Sequence, residues 1–174
     1  MHIPEPARRV LTQAVADGVA PGATAALVDT AGAVDALAVG RRQDGPGVTI
    51  DTRYDLASLT KVVATLPSVL RLIAAGEFGL DDPVGRFFSG AGWFQGSSLA
   101  EATVRALLTP TSGLPAWRQL FAQAGERRTA MAAVLQSPLE RPGQVANSDL
   151  GFMLLGAVVE RVAHARLARP NPRG

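Results

Sequence analysis

Apolar positions along this chain of 174 residues fall into stripes at helical spacing and into two short strand-like runs. Val10, Leu11, Ala14 and Val15 form one stripe at helical spacing, predicting a first helix from about Ala7 to Asp17 with Gly18 as its stop. Two short runs follow, Ala23 to Asp29 and Val34 to Arg41, and their connection through Thr30-Ala31-Gly32 reads as a β-hairpin. Gln43 to Thr49 is a Gly/Pro loop leading through Ile50 and Tyr54 to a long helical pattern. In that pattern Leu59, Val62, Val63, Leu66, Val69, Leu70 and Ile73 fall at intervals of three and four, and Gly76 ends it. Pro67 lies inside the run, so a kink or break is expected beside it.

Beyond Gly76 the pattern shortens. Asp82-Pro83 predicts an N-cap and first helical position for a short helix through Phe87. Gly90 to Ser98 reads as a loop, and Gly90-Ala91-Gly92 lacks the third glycine and the preceding strand of a dinucleotide site. A short helix from Thr103 to Leu108 runs into the turn Thr109 to Pro115. Further helices are predicted over Arg127 to Gln136 and from about Leu150 through Leu154 and Val158 to Val162. There is no internal repeat. Residues 1–165 read as one domain and 166–174, with Pro170 and Pro172, as an unstructured tail.

Composition narrows the chemistry. Hydrophobic residues at 47% and charged residues at 18% describe a globular chain. Net charge is only +2 and aromatics are 5%, so the basic, aromatic-interleaved surface of a nucleic-acid binder is not expected. The absence of cysteine excludes disulfides, iron–sulfur clusters and cysteine-bound zinc. His2 and His164 lie near opposite ends, so no histidine metal cluster and no cofactor are expected. No run reaches membrane-spanning length, and Pro4 and Pro6 interrupt any leader-like N-terminus. The cytoplasm is the expected compartment, or the periplasm if the natural N-terminus extends further.

Against this background one pair stands out. Of the 17 basic residues, Lys61 is the single lysine, and it follows Ser58 by three positions at the start of the long helical run. That spacing places the two on one helix face. A serine hydroxyl needs a base to become a nucleophile, and lysine can serve where arginine, always protonated, cannot. A helix N-terminus beside the hydroxyl would favour a developing oxyanion. The plain alternative is a helix start with a snorkelling surface lysine.

Asp55-Leu56-Ala57-Ser58-Leu59-Thr60-Lys61 resembles the active-site segment of the β-lactamase-related serine hydrolases, which include class C β-lactamases, penicillin-binding esterases and D-alanyl-D-alanine peptidases. Gly79-Leu80-Asp81-Asp82-Pro83-Val84 is similar to that family's acidic-Pro-Val turn. Val104 to Pro115 resembles its Leu-Leu-Thr-His-Thr-Ser-Gly-Leu-Pro signature, and Ser148 to Gly156 the segment carrying its Tyr-Ser-Asn or Tyr-Ser-Asp triplet. The resemblance implies an α+β, β-lactamase/DD-peptidase-like fold, with a helical region packed on an antiparallel sheet. It implies Ser58 as nucleophile, Lys61 as its proton acceptor, an acyl-enzyme, and a small acyl substrate: an ester, a β-lactam or a small amide.

This sequence departs from the family's pattern in three places. Asn147 stands where the family has its acid/base tyrosine, and a carboxamide does not exchange protons near neutral pH. Pro110 replaces the turn's histidine. The chain also stops where the family's pattern continues, so an incomplete sheet and a truncated domain are expected, with self-association through the hairpin edge. A catalytically silent remnant with at most a binding role is therefore the alternative to an active hydrolase. Asn147-Ser148-Asp149 equally suits a helix N-cap. Ser112 and Gly113 read as turn residues. Tyr54, Trp93 and Trp117 are candidates for lining a cleft, with packing as the alternative.

Overall fold

The computed structural model describes residues 2–43, 45–120 and 126–167, and most of the expected tail lies outside them. Its elements are α+β, in two compact units that divide after Asp55.

In the first unit, α1 (Glu5–Ala16) is followed by β1 (Gly22–Val28) and β2 (Val34–Gly40), an antiparallel pair in register from Gly22 opposite Gly40 to Val28 opposite Val34. The hairpin turns on Asp29, whose carboxylate accepts from the amides of Ala31 and Ala33 at 2.9 and 2.8 Å. Val10 is exposed, unlike its place in the predicted stripe, and α1 contains no fully buried residue. Its docking is polar at one end. Asp35 accepts from the Ile3 amide at 2.6 Å and from Arg8 at 2.7 Å. These bonds, the Ile3 amide first and then the Arg8 charge, hold the Asp35 carboxyl below its ordinary range.

A depressed folded value means stability that is complete above the ordinary carboxylate value of 3.8 and lost as pH falls through the folded one. The melting temperature of this unit is therefore expected to drop on acidification, and the drop to shrink in Asp35→Asn. An equal acid response in the variant would show that Asp35 is not its source.

Neighbours on a strand face opposite ways, so Leu27 and Val28 divide between the two sheet faces. Leu27, Leu37 and Val39 share Asp35's face and are partly covered, whereas Val28 and Val34 are 60% and 62% exposed at the hairpin tip.

In the second unit, Leu59 opens a helical run that becomes α2 (Leu66–Ala74) after a π-helical stretch, Lys61–Thr65. The kink expected at Pro67 takes this form. Proline lacks an N–H and its ring would strike the carbonyl four residues back, so a widened turn just upstream relieves both conflicts. The run closes in a Schellman cap, in which Gly76 takes φ 77° and the Glu77 amide donates to Leu72 at 3.1 Å. Of the predicted stripe only Val69 is fully buried, and Leu59, Val62, Val63 and Leu70 are all at least half exposed.

The segment Val84–Phe88 is a 3₁₀ helix whose N-cap residue is Pro83. Asp82, expected to be that cap, instead accepts from the Gly79 amide at 2.8 Å and pairs with Arg86. Gly90 to Ser98, expected to be a loop, holds a 3₁₀ turn, Gly92–Phe94, and leads into α3 (Ser98–Glu101). Among the described residues three further helices follow in the unit: α4 (Val104–Leu108), α5 (Arg127–Leu135) and α6 (Asp149–Val162). The core forms around α6, with Leu150, Leu154, Leu155 and Val158 packed among Phe78, Val84, Phe94, Leu107 and Val134. No helix among the described residues is long and apolar enough to cross a membrane.

Candidate active site

Three consecutive i to i+3 turns introduce the Ser58 segment: Leu59, Thr60 and Lys61 donate to the carbonyls of Leu56, Ala57 and Ser58. Ala57 is held at φ 42°, a left-handed conformation that costs a residue with a Cβ about 1–2 kcal/mol. Ser58 therefore stands in the turn before the helix rather than within it, and it is exposed. Lys61 begins the π-helical stretch, and its side chain is only 15% exposed.

The amine of Lys61 has specific partners. Its Nζ lies 2.5 Å from Oδ1 of Asp149 and 3.5 Å from Oδ1 of Asn147, and 5.7 Å from the centre of the Phe152 ring. Ser58 and Lys61 line the same cavity of about 520 Å³ with Ala57, Asp149, Phe152 and Met153. Among the described residues no hydrogen bond joins the Ser58 hydroxyl to Lys61.

What delivers Asn147 and Asp149 to the lysine is a pairing of two segments. The turn after α4 receives the chain that precedes α6: Glu140 donates to Gly113, Gly143 to Thr111, Ala146 to Pro110 and Asp149 to Ala116, all at 2.8–3.0 Å. Pro110 contributes only its carbonyl there, so the absence of a histidine leaves the pairing intact. Gly113 takes φ 84°, and a Cβ on it would stand 2.7 Å from the nitrogen of Pro142. Ser112 is buried in the turn. The acidic segment before α4 is anchored in turn by a two-pronged pair, Arg105 to Asp81 at 2.8 and 3.0 Å.

The triplet divides its labour. Ser148 is the N-cap of α6: its hydroxyl accepts from the Gly151 amide at 3.3 Å and donates to the Pro115 carbonyl at 2.6 Å. Asn147 and Asp149, on either side, face Lys61. The capping role thus applies to one residue of the three, and Asp149 joins the site although sequence reasoning left it out. Its signal was present as the third position of the triplet, with Phe152 and Met153 one helical turn on.

Trp117, expected as a cleft residue, is 55% exposed and is not among the residues lining this cavity. Tyr54 belongs to the first unit, where its hydroxyl is 3.0 Å from that of Thr24, and it lines a different cavity with Arg41 and Arg53. Among the described residues no three His, Asp or Glu side chains gather as a metal would require.

A serine before a helix, a lysine one turn on, and a capped Asn-Ser-Asp segment thus meet around one amine. The chain belongs to the β-lactamase family, whose family model, described as Beta-lactamase, matches residues 7–169. It is 34% identical over 149 residues to the esterase EstB of Burkholderia gladioli, covering 73% of this chain and 36% of that protein. A putative D-alanyl-D-alanine carboxypeptidase of Salmonella paratyphi A is 29% identical over 135 residues, covering 70% of this chain and 31% of that protein. The chain spans about a third of the length of these curated relatives. A class C β-lactamase from Rhodobacter sphaeroides shares the fold at TM-score 0.75 and 21% identity, over 95% of this chain and 46% of that one.

Proposed function

We propose that Ser58 is the nucleophile of a slow acyl-transfer site acting on esters, β-lactams or small amides. The Ser58 oxygen attacks the carbonyl carbon, its proton passes to Lys61 Nζ, and the departing oxygen or nitrogen takes that proton as the bond to it breaks. Water then hydrolyses the acyl-serine, releasing the acid and restoring the hydroxyl. The observation that carries this reading is the shared cavity, which sets an exposed serine beside a largely covered lysine. Ala57, Phe152 and Met153 offer an apolar wall for the acyl group. The relatives' names, an esterase and a carboxypeptidase, span ester and amide substrates.

The rate is slow for a geometric reason. The Lys61 amine is held by the Asp149 carboxylate at 2.5 Å and not by the Ser58 hydroxyl, so it must turn from Asp149 and present a lone pair to Ser58 before it can accept a proton. Asn147 cannot carry the proton in its place. The same contact favours the second reading, a silent remnant that binds acyl compounds without turnover. Hydrolysis of a nitrophenyl ester by purified protein separates the two. A low rate that disappears in Ser58→Ala is expected, and a rate equal in wild type and variant would refute Ser58 as nucleophile.

A further inference from the structure

A second cavity in the same unit shares no lining residue with the cavity of Ser58 and Lys61. It measures about 590 Å³, and its lining includes Phe88, Ser89, Trp93, Arg128, Met131 and Arg161. The guanidinium of Arg161 lies over the Phe88 ring, 4.1 Å from its centre, a stacked placement that fixes its direction. Burial pushes Arg161 below the ordinary arginine value, with the nearby Glu160 carboxylate opposing that effect and the Arg127 charge adding to it. The carboxylate of Glu160 is already engaged, by Arg127 on one oxygen and by the Leu167 amide at 3.1 Å on the other. Among the described residues neither Arg161 nor Arg128 forms an ion pair.

On one concave wall, then, Arg161 is partly desolvated with only a 3.5 Å bond to the Ala157 carbonyl and no ion pair, and the exposed Arg128 leaves its own charge open to an anion. Facing them is apolar surface, with Trp93 58% exposed beside Met131 and Phe88. We propose that this cavity binds a small organic carboxylate with a flat apolar body, its carboxylate between Arg128 and Arg161 and its ring against Trp93. Arginine suits this task because its planar fork matches a carboxylate and stacks on rings. The hydroxyl of Ser89 is within the lining to donate a further bond. The site is independent of Ser58 and Lys61.

Isothermal titration of the purified chain with 1-naphthoate tests this, with 1-naphthalenemethanol as the ring without charge and acetate as the charge without ring. Saturable one-site binding of naphthoate is expected, with both controls weaker by about tenfold or more, the size of a lost charge-assisted contact. Arg128→Gln and Arg161→Gln are each expected to weaken naphthoate by roughly tenfold. Arg128 is exposed, so its variant reads the site without disturbing the core. Three results would overturn the proposal: no saturable binding of naphthoate at millimolar concentration, the alcohol binding as tightly as the acid, or unchanged affinity in Arg128→Gln.

Discussion

Replacing Asn147 with tyrosine is expected to raise the hydrolysis of a nitrophenyl ester by ~10²–10⁴-fold, the usual contribution of a positioned acid/base group. Asn147 already points its oxygen at Lys61 from 3.5 Å, held by the Ala146 to Pro110 and Asp149 to Ala116 backbone bonds on either side. It is exposed, so a larger ring at this position meets open space rather than the core. A phenol there can pass a proton between the serine, the lysine and the leaving group, which a carboxamide cannot do. The gain should vanish when Ser58→Ala is added. An unchanged rate in Asn147→Tyr would place the deficiency outside the contact with Lys61.

The second large effect concerns assembly. A two-stranded hairpin is marginal alone, and its outer edges present unpaired N–H and C=O groups. Within the first unit β1 pairs only with β2 among the described residues, and Val28 and Val34 at its tip are mostly exposed. We propose that copies of the chain pair through this hairpin edge. Light scattering should then show a size that grows with protein concentration. Val28→Lys should shift it toward the monomer, because an edge lysine blocks such pairing and the position is open to solvent. A monomer with a sharp melting transition above about 65 °C, the upper end for ordinary domains, would contradict the proposal.

Much of this was legible before any coordinates. The hairpin is marked by its two short apolar runs and by Thr30-Ala31-Gly32 between them, and the long helices by their stripes. The Ser58 and Lys61 pair stands out because one lysine among 17 basic residues is hard to overlook. Other features were hidden for definite reasons. Periodicity says which face of a helix is apolar but not whether anything covers it, so Leu59, Val62, Val63 and Leu70 fit the helical stripe and yet are exposed. Asp82 has the composition of a cap, yet the Gly79 amide and Arg86 compete for its carboxylate and win. Asp149 was masked by a true alternative, since Ser148 beside it does cap the helix and residue types alone do not reveal which of three neighbours turns inward.

That Ser58 takes an acyl group is the claim on which the functional reading stands. Peptide mass spectrometry after incubation with a millimolar nitrophenyl ester or penicillin-type β-lactam tests it most directly. The expected result is slow, partial acylation confined to the peptide containing Ser58 and lost in Ser58→Ala. An adduct that persists in Ser58→Ala, or none at all in the wild-type chain, would contradict it.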